Sequence, residues 1–148
     1  MAAKAVKPVP DGYHTVTPFL NVKGMGKLIE FLKSAFGAEE IMRMAGPDGT
    51  AVHAEVNIGN SRIMLGEIMQ QNQPSSSYFY VYVNDADAMF KRAIGAGASA
   101  VSQPGDQFWG DRMGTVKDPF GNTWSVATHK EDPTPQEMEK RMKSTMNH

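Results

Sequence analysis

The sequence has no cysteine, no excess of either charge and no apolar run that approaches a membrane span. Without cysteine there are no disulfides, no thiolate metal ligands and no cysteine nucleophile, a usage that fits a reducing compartment. Fifteen basic against 16 acidic residues leave a formal charge of −1. No basic stripe stands ready to neutralise phosphates or to draw the chain to anionic lipid, so nucleic-acid and membrane partners are not expected. A spanning helix needs about 20 consecutive apolar residues. The opening MAAKAVKPVPDG has lysines but no apolar core to form a secretion signal, and the expected location is the cytoplasm. Nucleotide-loop patterns and the serine-hydrolase elbow are also missing, and the GMG at Gly24 to Gly26 is too short for a phosphate loop.

What is present is order repeated twice. At 148 residues the chain is most simply one domain, since folds of this size bury roughly 68–70% of their unfolded surface. YHTVTPFLNV reads as a strand with Pro18, Leu20 and Val22 on one face and Thr17, Phe19 and Asn21 on the other. Pro18 donates nothing to a ladder and belongs at an edge or bulge. Leu28, Phe31, Leu32, Ala35 and Phe36 then recur at helical spacing, with Gly37 placed for a left-handed cap. Three strands follow in EEIMRMA, AVHAEVNI and RIMLGEIM, separated by the turns GPDGT and GNS.

The polar QQNQPSSS reads as a linker, after which the order begins again. YFYVYV is a strand, and Asp85 caps a helix whose Met89, Phe90, Ala93 and Ile94 share a face. ASAVSQP, DRMGTVK and NTWSVATH supply three further strands. Asp118, Pro119 and Gly121 take positions that a type I turn favours. FLKSAFGA and MFKRAIGA match at the same offsets, so the halves are similar in letters as well as in order. The expected architecture is α+β, with modules over 13–69 and 77–129 and a C-terminal helix over 134–146. Thr134, Pro135 and Glu137 mark that helix's start. Its Met138, Met142 and Met146 either pack on the body or contact a partner or a cleft.

The segments IEFLKSAFGAEE, HAEVNIGNSRIMLGE, YVYVNDADAMFKRAIGAGA and DQFWGDRMGTVKDPFGNTWSVATHKED resemble the vicinal oxygen chelate superfamily of glyoxalase I, extradiol dioxygenases and bleomycin-resistance proteins. Within it the chain is most similar to the PhnB-like group. The resemblance implies two βαβββ modules whose curved mixed sheets surround a cleft, formed within one chain or by pairing two chains as a homodimer. In metal-dependent members each module gives one ligand from its first and one from its last strand. Laid on that pattern, the four positions are Thr17, Met64, Tyr78 and Ser125. Hydroxyl, thioether and phenol lack the charge and basicity that zinc, nickel or iron require, so no metal and no cofactor is expected.

Other candidates come from the residues themselves. Alternation puts His53, Glu55 and Asn57 on the cleft side, where the first two are either a hydrogen-bonded pair on a polar sheet face or an acid–base or metal-binding pair. Phe19 shares the face of Thr17. Tyr78, Tyr80 and Tyr82 share a strand face, giving either stacking area for a flat ligand or ordinary cross-strand packing. Trp109 reads as an aromatic wall or an interface seal, as its Trp-Gly resembles a groove-side loop of the bleomycin-binding proteins. Arg112 reads as an anion contact or as a partner of Asp106 or Asp111. His14 and His129 read as surface or strand-end residues, and His148 as tail. The expected function is binding of a small organic molecule without a catalytic metal. The alternatives are a lyase, isomerase or dioxygenase using displaced groups such as His53 and Glu55, and a dimeric scaffold with a filled cleft. No residue is assigned a catalytic role.

Overall fold

Exposed and buried side chains alternate over four residues to form β1 (Phe19–Val22), with Leu20 and Val22 turned inward. The computed structural model describes residues 8–68 and 76–146, and the chain divides into two units, Met1–Ser75 and Ser76–His148. In the first, β1 leads into α1 (Met25–Phe36) and then β2 (Glu39–Ala45), β3 (Ala51–Ile58) and β4 (Ser61–Glu67). The sheet order is β1-β4-β3-β2, with β1 parallel to β4 and the other pairs antiparallel. A helical crossover followed by two hairpins produces this mixture, because a parallel neighbour needs a long connection and an antiparallel one needs only a turn.

The expected first strand began at Tyr13, but the ladder begins at Phe19. Pro18 offers only its carbonyl, to the Met64 N–H at 2.9 Å, and without an N–H it ends the pairing. Leu28, Ile29, Leu32 and Ala35 of α1 are fully buried, as are Ala54, Val56 and Leu65 of the strands beneath. Each leucine or isoleucine so removed from water contributes about 1.5–3 kcal/mol. Gly37 closes the helix at φ 68°, a conformation costly for any residue with a Cβ. At its other end the carboxylate of Glu67 accepts the N–H groups of Gly24 and Met25 at 2.9 and 2.8 Å, a cap brought from β4.

The second unit repeats the plan with β5 (Tyr78–Tyr82), α2 (Ala86–Gly95), β6 (Ser99–Asp106), β7 (Asp111–Lys117) and β8 (Thr123–His129), in sheet order β5-β8-β7-β6 with β5 parallel to β8. Asp85 caps α2 through the Ala88 N–H at 3.1 Å, and Thr128 adds a bond from the Ala86 N–H at 2.9 Å. Phe90 and Ala93 are buried beside β7, where Gly114 leaves room for the Phe90 ring, while Ile94 turns outward. Trp124 stacks on Phe79 at 4.6 Å. The buried Asp118 carboxylate accepts from Trp124 Nε1, Asn122 Nδ2 and the N–H groups of Phe120 and Asn122, which locks the turn between β7 and β8.

The terminal helix is α3 (Pro135–Met146), and Thr134 Oγ1 accepts the Glu137 N–H as its cap. Its Met138 is half-buried and Met142 is exposed, so only part of the methionine stripe is covered. The Met146 side chain, Met69, His148 and most of the expected linker lie outside the described residues. No described helix is long and apolar enough to cross a membrane.

Candidate functional site

The strand period of two decides what the open face of the second sheet carries. Tyr78, Tyr80 and Tyr82 pair in register with Thr123, Ser125 and Ala127 of β8, and Thr115, Met113 and Asp111 continue that face on β7. Phe79 and Val81, with the opposite parity, turn toward the helix side. Tyr78 and Tyr82 are more than 60% exposed and Tyr80 is 38% exposed. Polar groups tie the rings from beneath. Tyr78 OH and Ser125 Oγ are 2.5 Å apart, and Ser125 Oγ and Thr115 Oγ1 are 2.8 Å apart.

Asp111 organises the rest. Its side chain is 1% exposed, and its Oδ2 accepts from Tyr80 OH at 2.5 Å, Tyr82 OH at 3.2 Å and Trp109 Nε1 at 3.1 Å. Its Oδ1 faces His129 Nδ1 at 2.7 Å, and the other imidazole nitrogen faces Asp132 Oδ1, also at 2.7 Å. Burial opposes the charge on Asp111, but the bonds from Tyr80, His129, Tyr82 and Trp109 prevail and hold its carboxyl below the ordinary range. Tyr80 is pushed up to about 12, first by burial and then by the bond to Asp111. His129 is raised by Asp111 and then by Asp132. A groove of about 400 Å³ lies alongside, lined by Asp106, Gln107, Gly110, Asp111, Lys130 and Glu131. Gly110, at φ 100°, holds the loop and the chain after β8 together: its carbonyl accepts the Lys130 and Glu131 N–H groups at 2.9 and 3.2 Å, and a Cβ there would meet backbone.

The open face of the first sheet has a different chemistry. His53, Glu55, Asn57, Arg62, Met64, Phe19 and Asn21 occupy it by register. Arg62 lies over the Tyr13 ring at 4.6 Å and bonds Asn57 Oδ1 at 2.7 Å and Glu55 Oε1 at 3.4 Å. Glu55 Oε2 lies 3.5 Å from His53 Nε2, and the His53 ring tilts against Phe19 at 5.8 Å. Phe19 covers Gly66, where a Cβ would meet its ring at 2.9 Å. These charges are mutually satisfied.

The structure brings Tyr78, Tyr80, Trp109 and Ser125 together in one unit, and Phe19, His53, Glu55 and Met64 in the other. Two of the expected cleft residues lie elsewhere. Of the two readings of Arg112, the pairing with Asp106 is the one seen, at 3.2 Å, together with a bond to Asp87 at 3.0 Å; the odd residues of β7 share the tyrosine side and Arg112 turns to the helix side, so it does not line the tyrosine face. Thr17 does not occupy a strand, because the ladder starts two residues later and its hydroxyl donates to His14 O at 3.4 Å. The donors at the four ligand positions do not fit a divalent metal, since Tyr78 and Ser125 satisfy each other and Met64 offers a thioether. Among the described residues no group of three His, Asp or Glu side chains is placed to hold one. Asp111 and His129 join this candidate site, although the sequence by itself marks them only as an arginine partner and a strand end. Their parity with Ser125 along β7 and β8 is the signal that finds them.

Comparisons with known proteins agree with this architecture. The chain is 38% identical over 122 residues to an uncharacterized protein of Mycobacterium bovis, spanning 75% of this chain and 80% of that one. It is 29% identical over 96 residues to the protein YjdN of Escherichia coli, spanning 62% of this chain and 65% of that one. The crystal structure of TioX from Micromonospora sp. ML1 superimposes with a TM-score of 0.68 at 24% identity, covering 78% of this chain and 98% of that chain, a likeness of fold. A gene product of Arabidopsis thaliana superimposes with a TM-score of 0.63 at 26% identity, again over 78% and 98%. The family model that matches residues 13–126 agrees with the twice-repeated βαβββ plan, and the chain belongs to the Glyoxalase/Bleomycin resistance protein/Dioxygenase superfamily.

Proposed function

We propose that the tyrosine face of the second unit binds a flat small organic molecule, and that binding needs no metal. The observation that carries this is the pinning of Tyr78, Tyr80 and Trp109 by buried Ser125 and Asp111 while the tyrosine rings remain exposed. Rings already fixed lose little rotamer freedom when a planar ligand stacks on them, which lowers the entropy cost of binding. The donor sets at the strand positions supply neither charge nor basicity for a Lewis-acid centre. On the first unit, the His53–Glu55 pair is engaged by Arg62 and Phe19, which argues for a structural role rather than a displaced acid–base site.

A thermal-shift screen with flat aromatic compounds and with divalent zinc, nickel and iron tests the reading. A ligand present at 100 times its Kd adds about 2.7 kcal/mol to apparent stability. Aromatic compounds are expected to raise Tm in the wild type but not in Tyr80→Ala. A rise with the metals alone would overturn the reading and favour an enzyme.

A further inference from the structure

His129 carries an inference about which flat molecules this face takes. Both its ring nitrogens lie 2.7 Å from carboxylate oxygens, Asp111 on one side and Asp132 on the other. An ionised carboxylate only accepts hydrogen bonds, so both nitrogens can donate at once only when the ring is an imidazolium. The two partners are unlike. Asp111 is buried and fixed by Tyr80, Tyr82 and Trp109, so it orients the ring through Nδ1. Asp132 is 94% exposed, lies three residues along the chain, and has no other partner among the described residues. An exposed pair of this kind is weak because water screens it, so a solute carboxylate can compete for the same N–H.

We infer that His129 is the docking point for an anionic group of the ligand, whose flat part lies on the adjoining tyrosines, and that the chain's own Asp132 holds this position until the ligand displaces it. The inference rests on the aromatic-face reading above and narrows it to planar carboxylates or similar anions. The groups facing His129 are Asp111 of β7 and Asp132 beyond β8, with Tyr80 and Tyr82 of β5 reaching it through Asp111; Lys130 and Glu131 are its chain neighbours, and Arg141 of α3 holds Glu131. Because Asp111 and then Asp132 raise the pKa of His129, anion binding is expected to weaken as pH rises through that raised value.

Calorimetric titration of the full chain with 2-naphthoate and with 2-naphthamide, which has the same rings and no charge, tests this. Wild type should bind naphthoate about tenfold more tightly, the scale of one charge-assisted hydrogen bond. Asp132→Ala should tighten naphthoate about threefold and leave naphthamide unchanged, and naphthoate should shift the His129 ring resonances to saturation. Glu139→Gln removes an equal charge from the same unit, where Glu139, among the described residues, pairs only with Lys143 on α3, and should not reproduce the gain. Equal affinity for both probes, or an equal gain from Glu139→Gln, overturns the anion site while sparing the aromatic face. Failure of both probes to bind overturns the face itself, and with it this inference.

Discussion

The two units share a backbone plan and differ in what they place on the open sheet face. In the first, Tyr13, Arg62, Glu55, His53 and Phe19 form a run of contacts in which each charge meets an opposite charge or a ring. In the second, three tyrosines and Trp109 stand over one buried carboxylate, with the rings left exposed. The helix sides are alike. Each helix is held at its N-terminus by a residue near the end of its unit's last strand, Glu67 in one and Thr128 in the other. Folding constraints therefore act on the helix side of both units, while the open faces are free to diverge, and the proposed binding rests on the difference between those faces.

The sharpest way to break this contrast is to remove the central carboxylate of each face. Asp111→Ala strands four donors above a buried position and is expected to cost about 3 kcal/mol. Glu55→Ala, on a face with its own alternatives for Arg62, is expected to cost about 1 kcal/mol. Urea unfolding of both variants checks the order, and equal losses would mean that the faces are built alike. The helix-cap parallel is next: Glu67→Ala and Thr128→Ala should each lose about 1–2 kcal/mol, measured the same way, and a neutral result at either site ends the equivalence. Tyr78→Phe removes one bond to Ser125 and should cost about 1 kcal/mol.

The smallest effect is a slope of stability against pH. The folded pKa of His129 lies above its unfolded value, so its contribution is fully present below about 6.5 and is lost as pH rises through the raised value. Asp111 runs the other way: its contribution is present above its unfolded pKa of about 3.9 and is lost as pH falls through the lowered folded value. His129→Gln should flatten the alkaline limb in a denaturation series and leave the acid limb in place.

Much of this was legible as letters. Period-two alternation found seven strands nearly to the residue, and Gly37 and Asp85 announced their caps. Alternation overextends the first strand through YHTVT, whereas pairing stops at Pro18 for want of a donor. The sequence offers Asp106 as a partner of Arg112, as observed, but not Asp87, and only the register of β7 against β8 shows that Arg112 faces the helix rather than the tyrosines. The Asp111–His129 contact joins residues 18 apart in sequence. No local pattern holds both, although their shared parity follows once β7 and β8 are paired as neighbours. The cap from Glu67 was hidden for the same reason, being 42 residues from the N–H it accepts.

The most direct test of the central claim is calorimetric titration of metal-stripped protein, in excess chelator, with a planar neutral probe such as 2-naphthol, in wild type and Tyr80→Ala. Saturable one-to-one binding that chelator does not affect, weakened at least about tenfold in the variant, is the predicted result, since base-like stacking on one ring contributes about 1–3 kcal/mol. Binding that appears only when a divalent metal is restored, or that Tyr80→Ala leaves unchanged, would contradict it.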